Sequence, residues 1–151
     1  MLSKRVHDKL RENKKRLAVA ESCTGGMLMA TLTEFPGASE YLVGGIVAYS
    51  NAMKERVLRV SPETLKAHGA VSREVVIEMV AGLFVVTHAD IGISVSGSLG
   101  PTGDKVGTVW MAVGEKGKKI YSEQIPLEEG LSRIEYREKV ITHLLEVLWK
   151  L

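Results

Sequence analysis

The sequence predicts an α/β fold, a layered α/β/α sandwich built around a mixed sheet. Short apolar segments of strand type alternate with segments of helical periodicity along most of the chain, which is typical of parallel strands covered by helices on both faces. Towards the C-terminal end, two strand-like segments follow each other across residues 114–117, Gly-Glu-Lys-Gly, which predicts an antiparallel hairpin. A sheet that contains both kinds of pairing is mixed.

Helix boundary signals support the predicted order of elements. Ser61 and Pro62 are suited to the N-cap and first position of a helix, Gly69 ends it, and Pro36-Gly37 ends an earlier one. The predicted helices cover residues 2–13, 25–34, 51–58 and 63–68, followed by one that begins at Ser72 and one that begins near Leu131. The predicted strands cover residues 17–21, 44–50, 89–96, 106–113 and 118–125, with a turn or short helical piece over 38–42.

Composition narrows the class of protein. A chain of 151 residues with 45% hydrophobic and 25% charged residues predicts one soluble domain over residues 1–151. A net charge of +2 and only 5% aromatic residues argue against a nucleic-acid interface. Because there is no signal peptide and no apolar run of membrane-spanning length, we expect a cytoplasmic protein without a membrane partner. One cysteine and four scattered histidines predict neither a disulfide framework nor a metal site.

A first group of polar residues follows the predicted strand 17–21. It reads Glu21, Ser22, Cys23, Thr24, Gly25 and Gly26. Ser22 or Thr24 can serve only as the N-cap of the next helix. Alternatively, the group holds a nucleophile or contacts an anion, because the N-terminus of a helix presents free N–H groups and glycines permit close backbone approach.

A second group combines Ser39 with Tyr49 and Lys54. A lysine in an apolar environment loses its proton more readily, because burial penalises the charged form, and the neutral amine can then act as a general base. A serine beside such a lysine is an activated nucleophile, and a tyrosine can orient the proton. The alternative is that Lys54 is an ordinary exposed lysine on a helix.

A third group is the glycine-rich segment 96–107, which follows a predicted buried strand. It contains Gly100 and Thr102 and has neither the spacing of a Walker loop nor that of a dinucleotide fingerprint. It is either a plain connection between strands or a wall of backbone donors around an anionic ligand.

Six motifs in series carry a resemblance to a known family. They are AESCTGG (20–26), PGAS (36–39), GGIVAYSNAMK (44–54), HGAVS (68–72), SGSLGPTG (96–103) and VGTVW (106–110). In these residues the sequence resembles the CinA C-terminal-domain family, the nicotinamide mononucleotide amidohydrolases. The resemblance implies hydrolysis of the carboxamide of this nucleotide to nicotinic acid mononucleotide and ammonia, by a serine–lysine dyad without metal or cofactor.

The resemblance also implies roles for individual residues. Lys54 and Tyr49 match the family lysine and tyrosine, and Ser22 and Ser39 both match family serines. We favour Ser39 as the nucleophile, because its turn can face Lys54, and we keep Ser22 as the second candidate. Arg133 and Arg137 are expected to bind the substrate phosphate, or else to pair with Glu129 or Glu138 at the surface. The other expected substrate contacts are Glu21, Cys23, Thr24, Gly25, Gly26, Gly100 and Thr102.

The sequence departs from the family pattern in the loop over residues 97–105. The family loop is usually longer, with a second glycine and a Lys-Pro pair, and Ala38 replaces a common serine. A shortened loop leaves a second hypothesis open, a non-catalytic or altered-specificity nucleotide-binding or regulatory domain of the same fold. The resemblance further implies a homo-oligomer, a dimer, and we expect a stand-alone form without the additional N-terminal domain that many family members have.

Overall fold

The computed structural model describes residues 1–151, and its elements follow the predicted order. The six helices are α1 (Leu2–Asn13), α2 (Met27–Leu32), α3 (Asn51–Leu58), α4 (Pro62–His68), α5 (Arg73–Thr87) and α6 (Arg133–Trp149). The five strands are β1 (Leu17–Glu21), β2 (Leu42–Val47), β3 (Ile91–Gly97), β4 (Val109–Glu115) and β5 (Tyr121–Gln124). A 3-10 turn, Ala38–Glu40, precedes β2.

The strands form one mixed sheet in the order β2-β1-β3-β4-β5. Strand β1 is parallel to β2 and to β3, whereas β4 is antiparallel to β3 and β5. The predicted mixed sheet is therefore confirmed. The carboxyl ends of β1, β2 and β3 meet at one edge of the sheet, the position where open α/β sheets bind ligands.

Helices cover both faces of the sheet, and β1 separates two apolar cores. Leu17 and Val19 pack in the core beneath α1, α2 and α6, whereas Ala18 and Ala20 pack beneath α3, α4 and α5. All five residues of β1 are buried, as a central strand between two helical layers requires. The predicted α/β/α sandwich is confirmed.

A close approach between two helices holds α3 in place. Gly82 of α5 lies against the last turn of α3, and a Cβ built at Gly82 would lie 1.8 Å from the carbonyl oxygen of Leu58. Only glycine permits this distance. The packing matters for function, because α3 carries Lys54.

Several element boundaries differ from the prediction, and three of these differences lie next to candidate site residues. Helix α2 begins at Met27, because Gly25 and Gly26 adopt positive φ values of 64° and 104° and form a tight turn. Strand β2 ends at Val47, so Tyr49 lies in a turn beyond it. Strand β4 begins at Val109 and not at residue 106, because the preceding residues close a loop in which the Gly107 N–H donates to the Ser98 carbonyl.

Candidate active site

A cleft of about 310 Å³ lies at the carboxyl edge of β1, β2 and β3. This volume is in the range of small-molecule sites, roughly 300–1,000 Å³. Residues from five separate segments line it, among them Ser22, Tyr49, Lys54, Ser96 and Arg133. Each parallel strand delivers its following turn to this edge, which explains why residues so distant in sequence meet here.

Lys54 and Ser22 form the centre of the cleft. The Lys54 Nζ lies 3.0 Å from the Ser22 Oγ and donates to the carbonyl oxygen of Tyr49, also at 3.0 Å. Lys54 is only 1% exposed and Ser22 only 5% exposed. Burial lowers the pKa of Lys54 below its ordinary value of 10.5, because the charged ammonium loses its hydration. A lysine of this kind is suited to accept the proton of the neighbouring hydroxyl.

Helix α3 positions the lysine. Ser50 is its N-cap, and the Ser50 hydroxyl accepts a hydrogen bond from the Met53 N–H at 3.2 Å. Lys54 therefore lies in the first turn and is directed back over the carboxyl end of β1, while Gly82 allows the far end of α3 to approach α5. Lys54 is therefore a buried residue and not the exposed helix lysine that was the alternative.

The structure does not bring Ser39 to Lys54. Ser39 lies in the exposed 3-10 turn before β2, whereas Lys54 lies beyond the opposite end of that strand. The six residues of β2 separate the two ends by roughly 20 Å at about 3.3 Å per residue. The expectation that the Ser39 turn faces Lys54 is wrong, because this turn precedes its strand and so lies at the amino edge of the sheet.

Glu21 stabilises the start of α2 and does not face the cleft. Its carboxylate is fully buried and accepts hydrogen bonds from the Thr24 hydroxyl at 2.6 Å and from the N–H groups of Gly26, Leu28 and Met29 at 3.2, 3.0 and 2.9 Å. A negative charge is favourable at a helix N-terminus. The expected substrate contacts of the Glu21 and Thr24 side chains therefore have no support in this arrangement, because these side chains are bonded to each other and to the helix, whereas the Thr24 backbone N–H is not.

Backbone donors in the turn over residues 22–26 are divided between bonded and free groups. The Gly25 N–H donates to the Ser22 carbonyl and the Gly26 N–H to Glu21, so neither is free for a ligand, and neither glycine lines the cleft. The N–H groups of Cys23 and Thr24 donate to no acceptor in the protein. These two groups immediately follow Ser22, in the position that an oxyanion hole beside a nucleophile requires.

Cys23 lines the cleft as a protonated thiol. Burial raises the pKa of Cys23 to about 12, because the thiolate would be desolvated. A thiol with this pKa is a poor nucleophile at neutral pH, so the adjacent Ser22 hydroxyl is the better placed reactive group.

Arg133 joins three segments at the mouth of the cleft. Its guanidinium donates to the Gly100 carbonyl at 2.6 Å and to the Tyr49 hydroxyl at 3.1 Å. Arg133 makes no ion pair with a carboxylate, so a positive charge at the cleft has only neutral partners. Thr102, in the exposed part of the loop, also lines the cleft, as expected.

Arg137 does not line the cleft, although it follows Arg133 by one helical turn. Its Nε is buried and has no hydrogen-bond partner. Neither arginine pairs with Glu129 or Glu138, so the predicted surface ion pairs are absent. The expected contact of Arg137 with the substrate phosphate has no support in this arrangement.

Several lining residues were not predicted as site residues. Ser96 and Ser98, at the end of β3, and Asn51, at the start of α3, contribute polar groups to the cleft. Ala70 and Val71, between α4 and α5, contribute an apolar wall. Four of these five residues lie in the motifs SGSLGPTG and HGAVS. The first motif follows a strand and the second precedes a helix, and this position could have identified them as candidate site residues.

Two further observations concern cofactors and membranes. No group of three or more His, Cys, Asp or Glu residues is arranged to hold a metal ion. None of the helices has the combination of length and apolar character needed to cross a bilayer.

Comparison with known sequences identifies one family. The sequence model of the family described as the CinA C-terminal domain matches residues 1–151. A CinA-like protein of Thermotoga sp. (strain RQ2) is 54% identical over 110 residues, which are 70% of this chain and 27% of that protein. A CinA-like protein of Shewanella sp. (strain ANA-3) is 45% identical over 130 residues, 83% of this chain and 30% of that protein. The chain therefore matches less than a third of the length of these relatives.

Solved structures of similar proteins cover the whole fold. The competence damage-inducible protein A (ComA) from Klebsiella pneumoniae superposes with a TM-score of 0.92 at 35% identity, covering 99% of this chain and 93% of that one. The competence/damage inducible protein CihA from Agrobacterium tumefaciens has a TM-score of 0.90 at 32% identity, covering 97% and 91%.

Proposed function

The chain belongs to the CinA C-terminal domain family, and from that premise we propose that it is an amidohydrolase. The proposed reaction is hydrolysis of the carboxamide of nicotinamide mononucleotide to nicotinic acid mononucleotide and ammonia. One observation carries the proposal: a buried lysine amine of lowered pKa lies 3.0 Å from a buried serine hydroxyl in a cleft of ligand size.

In the proposed first step, Ser22 is the nucleophile and neutral Lys54 is the general base. The Lys54 amine takes the Ser22 hydroxyl proton as the oxygen attacks the carboxamide carbon, and the carbonyl π electrons move onto the amide oxygen. The hydrogen bond from Lys54 to the Tyr49 carbonyl fixes the direction of the amine. The expected nucleophile was Ser39, and its distance from Lys54 is the reason for choosing Ser22.

The oxyanion of the tetrahedral intermediate would be bound by the free N–H groups of Cys23 and Thr24. Fixed backbone donors of this kind are typically worth about 3–4 kcal/mol each in transition-state stabilisation. The turn that holds them is itself fixed by Glu21, which takes the neighbouring donors of α2. The rigid turn costs little reorganisation when charge develops.

The remaining steps return the enzyme to its starting state. The Lys54 ammonium gives its proton to the departing nitrogen, the carbon–nitrogen bond breaks, and ammonia leaves with an acyl-Ser22 ester remaining. Lys54, neutral again, then takes a proton from water, which attacks the ester. Collapse of this second intermediate releases the carboxylic acid and returns the proton from Lys54 to the Ser22 oxygen, and the acid then passes its own proton to the released ammonia or to water. Atoms and charges balance without a metal or redox partner.

The substrate phosphate would bind at Arg133. Its guanidinium has only the Gly100 carbonyl and the Tyr49 hydroxyl as partners, and a phosphate is a far stronger acceptor than either. We expect Arg133→Ala to raise the KM for nicotinamide mononucleotide and to leave that for its phosphate-free nucleoside unchanged. An equal rise for both substrates would contradict a phosphate contact.

The test of the proposed reaction is ammonia release from nicotinamide mononucleotide by the purified protein. Lys54→Ala and Ser22→Ala should abolish release, whereas Ser39→Ala and Lys66→Ala, which alters an exposed lysine of α4, should retain it. No release by the parent protein, at high enzyme concentration from neutral to alkaline pH, would refute the proposed activity on this substrate.

A second candidate is a nucleotide-binding domain that has lost turnover or changed its substrate. It is favoured by the loop that follows β3, in which residues 101–106 are all exposed and leave one side of the cleft open. Calorimetric titration separates the two candidates. Binding of nicotinamide mononucleotide without ammonia release supports the second, and turnover supports the first.

A further inference from the structure

The turn between α4 and α5 gives the cleft an apolar wall that the reaction described above does not use. The turn covers residues 69–72, and its Ala70 and Val71 side chains line the cleft. Both side chains are half-buried. Ligand sites combine apolar walls with a few polar groups that fix orientation, so this wall is suited to an apolar part of the ligand.

Helix α5 places this turn at the same edge of the sheet as the lysine and the serine. The Ser94 hydroxyl of β3 donates to the Val76 carbonyl of α5 at 2.7 Å. Nearer the start of the strand, Gly92 lies against Val80, one turn later in α5. Helix α5 therefore runs antiparallel to β3. Since α5 begins at Arg73, the turn before it lies level with the carboxyl end of β3, where the cleft opens.

Hydrogen bonds on both sides hold the turn in one conformation. The buried Ser72 hydroxyl donates to the Gly69 carbonyl at 2.8 Å and accepts from the Val75 N–H at 3.3 Å. It thereby connects the two ends of the turn. Glu78 of α5 accepts two further hydrogen bonds from the first residues of α4 and its N-cap. A wall that is already fixed costs little ordering when a ligand binds.

The apolar wall and the cationic group of the cleft lie on opposite sides of the sheet. Ala70 packs against the core beneath α3, α4 and α5, in the helical layer that also carries Lys54. Arg133 begins α6, which packs on the other core. Ser22 directly follows the central strand β1, at the edge between these two layers. A ligand that contacts the wall, Ser22 and Arg133 must therefore lie across the sheet edge.

The charges of the cleft restrict the class of carboxamide that fits. No residue that lines the cleft has a carboxylate, and its charged groups are those of Lys54 and Arg133. An amino-acid amide such as asparagine has a compact, strongly hydrated ammonium, which would find no counter-ion here. A phosphate finds Arg133. The pyridinium charge of nicotinamide mononucleotide is spread over its ring and is balanced by its own phosphate.

We propose that the turn over residues 69–72 binds the ring of the substrate and that Val71 determines which carboxamides the cleft accepts. The identity of the ring rests on the proposed function. With one face of the ring against Ala70 and Val71, the carboxamide lies beside the Ser22 hydroxyl, and the phosphate extends across the sheet edge to Arg133. The substrate class is thus a ring carboxamide joined to a phosphate by a sugar-length spacer. Val71 is a specificity-determining residue and takes no part in proton transfer.

The two halves of the substrate, used as separate ligands, test this arrangement. Nicotinamide has the ring without the phosphate, and ribose 5-phosphate has the phosphate without the ring. Titration followed by NMR of the protein measures the affinity for each and requires no turnover. Val71→Ala should weaken nicotinamide binding about 10-fold, the usual effect of removing a small apolar group from a pocket, and leave ribose 5-phosphate unchanged. Arg133→Ala should do the reverse.

Two further variants separate a wall contact from a loss of structure. Val71→Thr keeps the shape of the side chain but replaces a methyl group by a hydroxyl, so it should also weaken nicotinamide binding, with a parent-like Tm. Val85→Ala alters a half-exposed valine of α5 outside the cleft and should change neither affinity. The proposal is overturned if the Val71 variants bind nicotinamide like the parent, or lose both ligands equally. It is also overturned if nicotinamide does not bind the parent protein.

The substrate range provides a second readout. Val71→Ala should raise the KM for nicotinamide mononucleotide and leave kcat within a factor of about two, because Ser22 and Lys54 are unchanged. The parent protein should release no ammonia from L-asparagine or L-glutamine. Release from either at a rate comparable with that from the nucleotide would overturn the proposed substrate class.

The ring-binding wall and the proposed function fail in distinguishable ways. If the parent protein releases no ammonia from nicotinamide mononucleotide, the proposed function fails, and the NMR titrations still decide whether the ring binds at the wall. If the parent protein releases ammonia and Val71→Ala binds nicotinamide as the parent does, the wall alone fails.

Discussion

Two turns at opposite edges of the sheet each contain a serine, an adjacent glutamate and a glycine at positive φ, but their surroundings differ. The turn after β1 contains Ser22, with glycines at positive φ, and the turn before β2 contains Ser39, after Gly37 at a φ of 100°. Ser22 is buried 3.0 Å from the Lys54 Nζ, and Ser39 is exposed. The difference shows that the position of a turn relative to the sheet, and not its local sequence, determines which serine hydroxyl lies beside the Lys54 amine.

The glutamates beside these serines differ in the same way. Glu21 precedes Ser22, is fully buried and accepts four hydrogen bonds. Glu40 follows Ser39, is exposed and pairs with Arg11 at 2.7 Å. A carboxylate that replaces its water shell with four fixed donors organises its turn, whereas an exposed ion pair contributes little.

The largest expected effect is the contrast between the two serines. We expect Ser22→Ala to lower kcat for ammonia release at least about 10³-fold, because it removes the attacking oxygen. Ser39→Ala should leave kcat within a factor of about two, since Ser39 is exposed at the opposite edge of the sheet from Lys54. Steady-state kinetics of both variants measure the contrast. A Ser22→Ala enzyme that keeps its kcat would reverse our assignment of the two turns.

The next prediction concerns Lys54, which lies beside the turn with Ser22 and not beside the turn with Ser39. Lys54→Met should lower kcat about 10²- to 10⁴-fold, the usual range for loss of a general base, while the fold persists because methionine suits a buried site. Ammonia release measures the fall in kcat, and thermal unfolding measures whether the fold is retained. Lys54→Met with parent-like turnover and a normal Tm would exclude the lysine as base.

The pH profile sharpens the role of Lys54. Burial lowers the pKa of Lys54, so the folded protein releases this proton more easily than the unfolded chain, and stability rises with pH between the folded pKa and 10.5. Activity should rise with pH along the same titration, on a limb below 10.5. Chemical denaturation at several pH values should show this rise of stability with pH in the parent protein, and the rise should be absent in Lys54→Met. An identical dependence in both proteins would contradict the assignment.

The smallest expected effect compares the two glutamates. Glu21→Gln should lower the free energy of unfolding by about 2–3 kcal/mol, because an amide NH₂ would face the donors at the start of α2. Glu40→Gln, an exposed change, should cost less than about 1 kcal/mol. Urea denaturation measures both. Equal losses in the free energy of unfolding would show that the buried Glu21 stabilises its turn no more than the exposed Glu40 does.

Much of the fold was predictable, because periodicity and turn residues are local signals. The order of the strands and helices and the mixed sheet followed from them. The sequence left the burial of Lys54 open beside an exposed position, and the structure shows it buried. The pairing of Lys54 with Ser22 was not predictable in this way. The sequence already placed Ser39 before one strand and Ser22 after another, but only the parallel pairing of β1 with β2 puts these two turns at opposite edges of the sheet.

The role of Glu21 was also hidden from the sequence. Caps of helices are normally sought at the residue just before the first turn, which here is a glycine without a side-chain cap. The carboxylate that fills this role comes from the end of β1, six residues before Met27. The tight turn formed by Gly25 and Gly26 brings the Glu21 carboxylate within hydrogen-bond distance of the N–H groups of α2.

Gly82 sets the depth at which the lysine amine sits, although it lies 28 residues from Lys54 and outside the cleft. Any side chain there would meet the Leu58 carbonyl and displace α3 by an ångström or more, given the 1.8 Å separation from a built Cβ. A proton-transfer pair tolerates only about 0.5 Å of misplacement. A substitution in α5 would thus abolish the proposed activity from a distance, and engineering of the cleft should leave this helix crossing unchanged.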